Sequence, residues 1–119
     1  MNPKELLEVV VRAADAKQAR DIVALDVATV SGVADYFVVM EAMNSRQIDA
    51  IIGAVDDAAA EHGLLVGGKI EGNAQSGWVL IDLGDVIVNV FDADSRLRFN
   101  LEKLWSDAEV VDLTDWVDE

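Results

Sequence analysis

The chain has 119 residues and no cysteine, which suits one domain with a real hydrophobic core and excludes a disulfide framework and any thiolate metal site. Nine basic against 23 acidic residues give a formal charge of −14, a balance that repels phosphate backbones, so direct sequence-specific nucleic-acid binding is not expected. A lone histidine, His62, argues against histidine-based metal sites and triads, and the absence of a membrane-length apolar run or a signal or transit pattern makes the expectation a cytoplasmic protein.

Asn2-Pro3-Lys4-Glu5 reads as a helix start, with Asn2 as N-cap, Pro3 at the first helical position and Glu5 completing a capping box. Leu7, Val10, Val11 and Ala14 then form one apolar stripe. Asp21 to Val30 reads as a strand, with Val23, Leu25 and Val27 on its more apolar face. Ser31-Gly32 breaks it, and Ala34 to Met40 (ADYFVVM) forms the next strand. Asn44-Ser45-Arg46-Gln47 repeats the capping signal, and Ile48, Ile51, Ile52, Val55 and Ala59 give a second helix its buried stripe. His62-Gly63 ends it, with Gly63 suited to the left-handed position after the helix and His62 to a capping role in the last turn. Leu64 to Ile70 reads as a weaker strand and Glu71 to Gly77 as a loop.

Trp78 to Phe91 (WVLIDLGDVIVNVF) reads as a β-hairpin turning on Gly84-Asp85, with a positive φ at the glycine. That turn pairs Leu83 with Val86, Ile81 with Val88 and Val79 with Val90, a wholly aliphatic face that belongs on a core. The opposite face pairs Asp82 with Ile87, Leu80 with Asn89 and Trp78 with Phe91. It mixes aromatic anchors with an acid and an amide, the composition of an interface centre. Coverage by another part of the same chain, such as the acidic tail through Trp116, is the alternative.

A last helix is expected from Asp94 or Ser95, with Leu97, Leu101, Leu104, Trp105 and Ala108 at helical spacing and Trp105 in the core. Asp107 to Glu119 is acidic without a base and reads as a solvated, partly frayed end that Val110, Val111, Leu113 and Trp116 could anchor. The order α-β-β-α-β-β-β-α predicts a single α/β domain with a mixed sheet of about five strands and helices mainly on one face.

The chain carries no P-loop, G-x-G-x-x-G, G-x-S-x-G or His-Glu-x-x-His. Asp82, Asp85, Asp92 and Asp94 are the only arrangement worth testing for a divalent ion, since Asp92-Ala93-Asp94 follows a strand. Chance in so acidic a chain accounts for that D-x-D, and Asp94 is explained as a helix cap. No catalytic, metal or cofactor site is therefore expected. Arg96, Arg98 and Lys103 are interleaved with Asp92, Asp94 and Glu102, so they make no basic patch for nucleic acid.

In four stretches the chain resembles the ribosomal silencing factor (Iojap/RsfS) family, from the first helix to about Asp112. ADYFVV (Ala34 to Val39) with NSRQ (Asn44 to Gln47) is similar to the family's D-Y-F-V-I … S-x-R-Q segment. Glu71-Gly72 and WVLIDLGDVIVNVF are similar to its W-V-L-x-D-Y-G-D-V-V-V-H-x-F signature, and Arg96 with Phe99 to Trp105 to R-x-x-Y-x-L-E-x-L-W. Ala42 replaces a glycine, Leu83 a tyrosine and Asn89 a histidine, and Arg98 stands where an aromatic is common. The resemblance implies a silencing domain over residues 1–112 with an acidic tail over 113–119, and a nucleotidyltransferase-like topology without the catalytic carboxylates. It also implies a homodimer that binds large-subunit ribosomal protein fourteen, blocks subunit association and represses translation under nutrient limitation. Trp78, Leu80, Asp82, Ile87, Asn89 and Phe91 would be the protein-binding residues. Two other readings stay open, a metal-dependent nucleotidyltransferase-like enzyme and an acidic dimeric adaptor.

Overall fold

The structure is a computed structural model that describes residues 2–30, 32, 34–63 and 69–117, with the backbone alone at Leu104. Its elements are α1 (Pro3–Ala16), β1 (Arg20–Asp26), β2 (Tyr36–Ala42), α2 (Ser45–Glu61), β3 (Ile70–Asn73), β4 (Trp78–Asp82), β5 (Val86–Asp92), α3 (Ala93–Phe99), α4 (Leu101–Leu104) and β6 (Glu109–Val110).

Both long helices start where the capping residues place them. The Glu5 and Gln47 amides donate to Asn2 Oδ1 and Asn44 Oδ1 at 2.8 and 2.9 Å, each satisfying a first-turn donor that the helix itself cannot. Glu5 closes its box differently from expectation, since its carboxylate accepts from the Asn2 side-chain amide at 2.7 Å. Gln47 accepts from the Met43 N–H at 2.6 Å and donates to the Lys17 and Gln18 carbonyls, tying the start of α2 to the end of α1. At the other end of α2, Gly63 has φ +85° and His62 Nδ1 donates to the Ala58 carbonyl at 2.9 Å, the capping role expected of it.

One six-stranded mixed sheet runs β3-β4-β5-β2-β1-β6, with β2 and β5 parallel and every other pair antiparallel. Helices α1 and α2 lie side by side on one face, and Leu7, Val10, Ile48, Ile51 and Val55 close over Val38, Met40, Val79, Ile81, Val88 and Val90. This is the aliphatic face of the hairpin.

Several expectations are corrected. The first strand ends at Asp26 rather than Val30, because Val30 N–H turns back to the Val27 carbonyl and Ala28 N–H bonds the Asp26 carboxylate. The strand expected over Leu64–Ile70 falls outside the described residues over 64–68. The strand observed beside β4 is Ile70–Asn73, within the stretch read as a loop. The last helix breaks at Asn100, which adopts φ +45° and separates α3 from α4. Asp92, not Asp94, caps α3, its Oδ1 accepting from Ser95 N–H at 2.8 Å. Leu97 points to solvent at 81% exposure, off the core its spacing suggested. The acidic end does not cover the second sheet face either. Leu113 is buried, and Val111, Trp116 and Val117 pack against the aliphatic core, with the Asp115 carbonyl 3.4 Å from Arg12 of α1.

A candidate protein-docking face

The turn sets the register of the site. Gly84 takes φ +86°, its N–H donates to Asp82 Oδ1 at 2.8 Å, and Leu83 N–H meets the Val86 carbonyl at 3.0 Å. From that turn the ladder runs Asp82↔Ile87, Leu80↔Asn89 and Trp78↔Phe91, the register the sequence predicts. Because side chains alternate across a strand, these six residues share the face opposite α1 and α2.

That face is only partly open. Helices α3 and α4 lean across it from the end of β5, anchored by Arg96, whose Nε donates to Glu102 at 2.9 Å while Nη1 lies 3.8 Å from Glu41 of β2. Phe99 reaches Trp78 with ring centroids 4.8 Å apart, and Phe91 lies beneath both at 5.2 Å from Trp78 and 6.1 Å from Phe99. Trp105 packs on Phe37 of β2 at 5.8 Å and stays half-buried, rather than belonging wholly to the core. Covering the face in this way buries Leu25, Val39 and Phe91 on the side away from the long helices.

Among the six expected contact residues, Trp78, Leu80 and Ile87 are half-buried and Asp82 is exposed. Asn89 and Phe91 have no exposed surface at all. The reason is tertiary: α3 and its neighbours close over the middle of the sheet, while the β3–β4 end remains open. Asn89 Oδ1 accepts from the Trp78 indole N–H at 3.0 Å and its Nδ2 donates to the Val38 carbonyl at 3.4 Å.

The open end is a groove of about 340 Å³ lined by Glu71, Gly72, Ser76, Trp78, Leu80 and Phe99. Gly72, in the Glu-Gly pair of the sequence, has φ +85°, and a Cβ there would run into the Trp78 carbonyl oxygen. Gly77 has φ +84°, and a Cβ would meet the Asp92 carboxylate and the Ser95 hydroxyl. Gly72 is therefore needed to bring β3 against β4, and Gly77 to bring the start of β4 against Asp92 and Ser95 at the start of α3. Phe99, Glu71 and Ser76 are absent from the sequence-based site. The signal for Phe99 was available: it is an aromatic lying off the Leu97, Leu101, Leu104 stripe of its helix. Arg98 rests its guanidinium 5.4 Å from the Phe99 ring, leaving a cation on the rim.

The four carboxylates considered for a metal do not converge. Asp82 and Asp85 stand at the hairpin turn, whereas Asp92 and Asp94 stand at the far end of β5, and Asp82 and Asp92 each cap a backbone N–H. Among the described residues no group of three or more His, Cys, Asp or Glu could hold a metal ion, and no helix is long and apolar enough to cross a membrane.

A family model described as "Ribosomal silencing factor during starvation" matches residues 1–119. The chain is 47% identical over 113 residues to the ribosomal silencing factor RsfS of Bacillus subtilis, covering 95% of both chains. It is 43% identical over 113 residues to the RsfS of Halalkalibacterium halodurans, covering 95% of this chain and 96% of that one. A crystal structure from Bacillus halodurans superimposes with a TM-score of 0.80 at 41% identity, over 92% of this chain and 99% of the other. One from Chromobacterium violaceum superimposes with a TM-score of 0.83 at 29% identity, over 89% and 88%. With its full length matched and its sheet, helices and glycine-dependent hairpin in place, the chain belongs to the ribosomal silencing factor family.

Proposed function

We propose that this chain is a translation regulator that binds the large ribosomal subunit through ribosomal protein fourteen, hinders joining of the small subunit and lowers translation when nutrients are short. The observation that carries the reading is the open Trp78–Leu80–Phe99 surface on the outer face of the hairpin, with Asp82 beside it. Partly exposed aromatics held by a sheet strand and the helix packed on it have the properties of interface anchors. The charge of −14 suits a basic ribosomal protein and opposes contact with the surrounding rRNA phosphates. The names of its relatives, ribosomal silencing factors, point the same way.

In this reading the protein is a regulator and not an enzyme. Asp82 and Asp92 serve the turn and the helix cap, which accounts for both acids without chemistry. A cytoplasmic homodimer is part of the proposal, and sedimentation equilibrium of the purified chain reads its oligomeric state.

The test is a subunit-joining assay. Large subunits incubated with the protein and then mixed with small subunits should yield fewer joined particles on a sucrose gradient, with the protein travelling in the large-subunit peak. Unchanged joining with no protein in that peak would overturn the proposal.

A further inference from the structure

Asn89 lies in the middle of the second sheet face, beside Val39 of β2 and Leu80 of β4, with no exposed surface. An amide in such a place is costly unless its polar atoms are satisfied, and an aliphatic side chain would fill the space without that cost. What the amide holds explains its presence. Its Oδ1 receives the Trp78 indole N–H at 3.0 Å, and its own Nδ2 is held by the Val38 carbonyl at 3.4 Å, so the acceptor is oriented from β2.

Trp78 is otherwise held by ring contacts, with Phe91 below and Phe99 beside it. Ring contacts alone tolerate an indole flipped over, since either orientation presents the same flat apolar surface. The hydrogen bond does not. It selects the orientation with Nε1 turned inward and leaves a carbon edge toward the groove.

We infer that Asn89 is a positioning residue for docking: untouched by the partner, it fixes the Trp78 indole in the orientation that binds. The inference rests on the docking reading above. A side chain ordered before binding does not lose its freedom at the interface, so the affinity depends on a residue the partner never meets.

Asn89→Leu keeps the branched outline and the number of heavy atoms and removes both polar atoms, and Asn89→His offers the indole a ring nitrogen that accepts only while the imidazole is neutral. Three readouts are combined: large-subunit co-sedimentation, thermal melting, and the NMR signal of the Trp78 indole N–H, assigned by its loss in Trp78→Phe. The wild-type indole N–H should exchange slowly with solvent. In Asn89→Leu it should exchange faster, with the fold retained and binding weakened by roughly tenfold, the size expected when a preorganised anchor is released. Asn89→His should recover binding at neutral pH and lose it at acid pH, below the ordinary imidazole value of about 6.5, because burial and the accepted hydrogen bond favour the neutral ring; the protonated ring has no acceptor. Wild type, measured over the same range, controls for His62 and for Glu41, Glu71, Asp82, Asp92 and Arg96 on the strands and helix around the site. The step should appear in binding at pH values where the melting curve shows Asn89→His still folded, whereas a residue that only supported the fold would lose binding and stability together.

Wild-type affinity in a folded Asn89→Leu whose indole N–H has lost protection would overturn the positioning role. So would pH-independent binding by Asn89→His, should Asn89→Leu fail to fold. Trp78→Ala separates this from the docking reading: normal binding by that variant overturns docking through this face, whereas lost binding in Trp78→Ala with normal binding in Asn89→Leu overturns the positioning role alone.

Discussion

Trp78 and Phe99 face each other with ring centroids 4.8 Å apart, one from an inner strand of the sheet and the other from the last residue of α3. The pair joins the hairpin to α3 across the open groove, and Phe99 keeps 44% of its surface in solvent. Phe99→Ala should therefore affect binding more than folding. Large-subunit affinity should fall by about 1–2 kcal/mol, as for a partly desolvated aromatic at an interface, with a melting temperature lowered by only a few degrees. A large drop in melting temperature with unchanged affinity would return Phe99 to a purely structural role.

Gly77 takes φ +84° where a Cβ would strike Asp92 and Ser95, and its carbonyl accepts the Asp92 N–H at 3.0 Å. Gly77→Ala combines a left-handed backbone with that collision, so it should destabilise the chain by about 2 kcal/mol or more in urea unfolding. Gly53→Ala is the control, because it sits within α2 with open space around it and should be neutral or slightly stabilising. Equal effects of the two substitutions would contradict the packing of β4 against α3.

Asp92 tests the distinction between a cap and a ligand. Asp92→Ala should cost about 1 kcal/mol by uncapping α3, while Asp92→Asn, which keeps the acceptor, should cost little. The double change Asp92→Asn with Asp94→Asn should leave large-subunit binding within a few-fold. Nucleotide transfer by the wild type that disappears in this double variant would overturn the regulatory reading.

The hairpin was legible in full because its information is local. A Gly-X turn sets the register, and a period of two then assigns every side chain from Trp78 to Phe91 to a face. The caps at Asn2 and Asn44 were legible for the same reason, each needing only residues three apart. β3 was not, since Glu71-Gly72-Asn73 has loop composition and becomes a strand only by pairing with Leu80, Val79 and Trp78. Nor was the break at Asn100, because Leu97, Leu101 and Leu104 fit one continuous helix until Asn100 turns left-handed. The burial of Asn89 and Phe91 depends on α3 folding back over the sheet, a tertiary event with no trace in the period of β5. The candidate site was thus right in its face assignment yet silent on depth.

Tyr36 gives the fold a signature at high pH. Burial, followed by the nearby Asp26 and Asp35 carboxylates, holds its phenol above the ordinary value of 10.0. A folded pKa above the unfolded one means the native state retains the proton more tightly. The associated stability is complete below about pH 10 and is lost as the pH rises through the folded value. Tyr36 is the chain's one tyrosine, so tyrosinate absorbance reports it alone. Its midpoint should lie higher in the native chain than in urea, and Tyr36→Phe should remove this component of the stability profile. Coincident midpoints would contradict the burial of the hydroxyl.

On the proposed function, the outer face of the hairpin docks and the inner face folds. Co-sedimentation of Trp78→Ala and Val79→Ala with large subunits tests it most directly, because the two positions are adjacent in sequence and opposite in space. Trp78→Ala should bind more weakly by about 2 kcal/mol, roughly 30-fold in affinity, while remaining folded. Val79→Ala should lower the melting temperature and bind normally wherever it is folded. Normal binding by Trp78→Ala together with abolished binding by a folded Val79→Ala would mean that the two faces have the opposite roles.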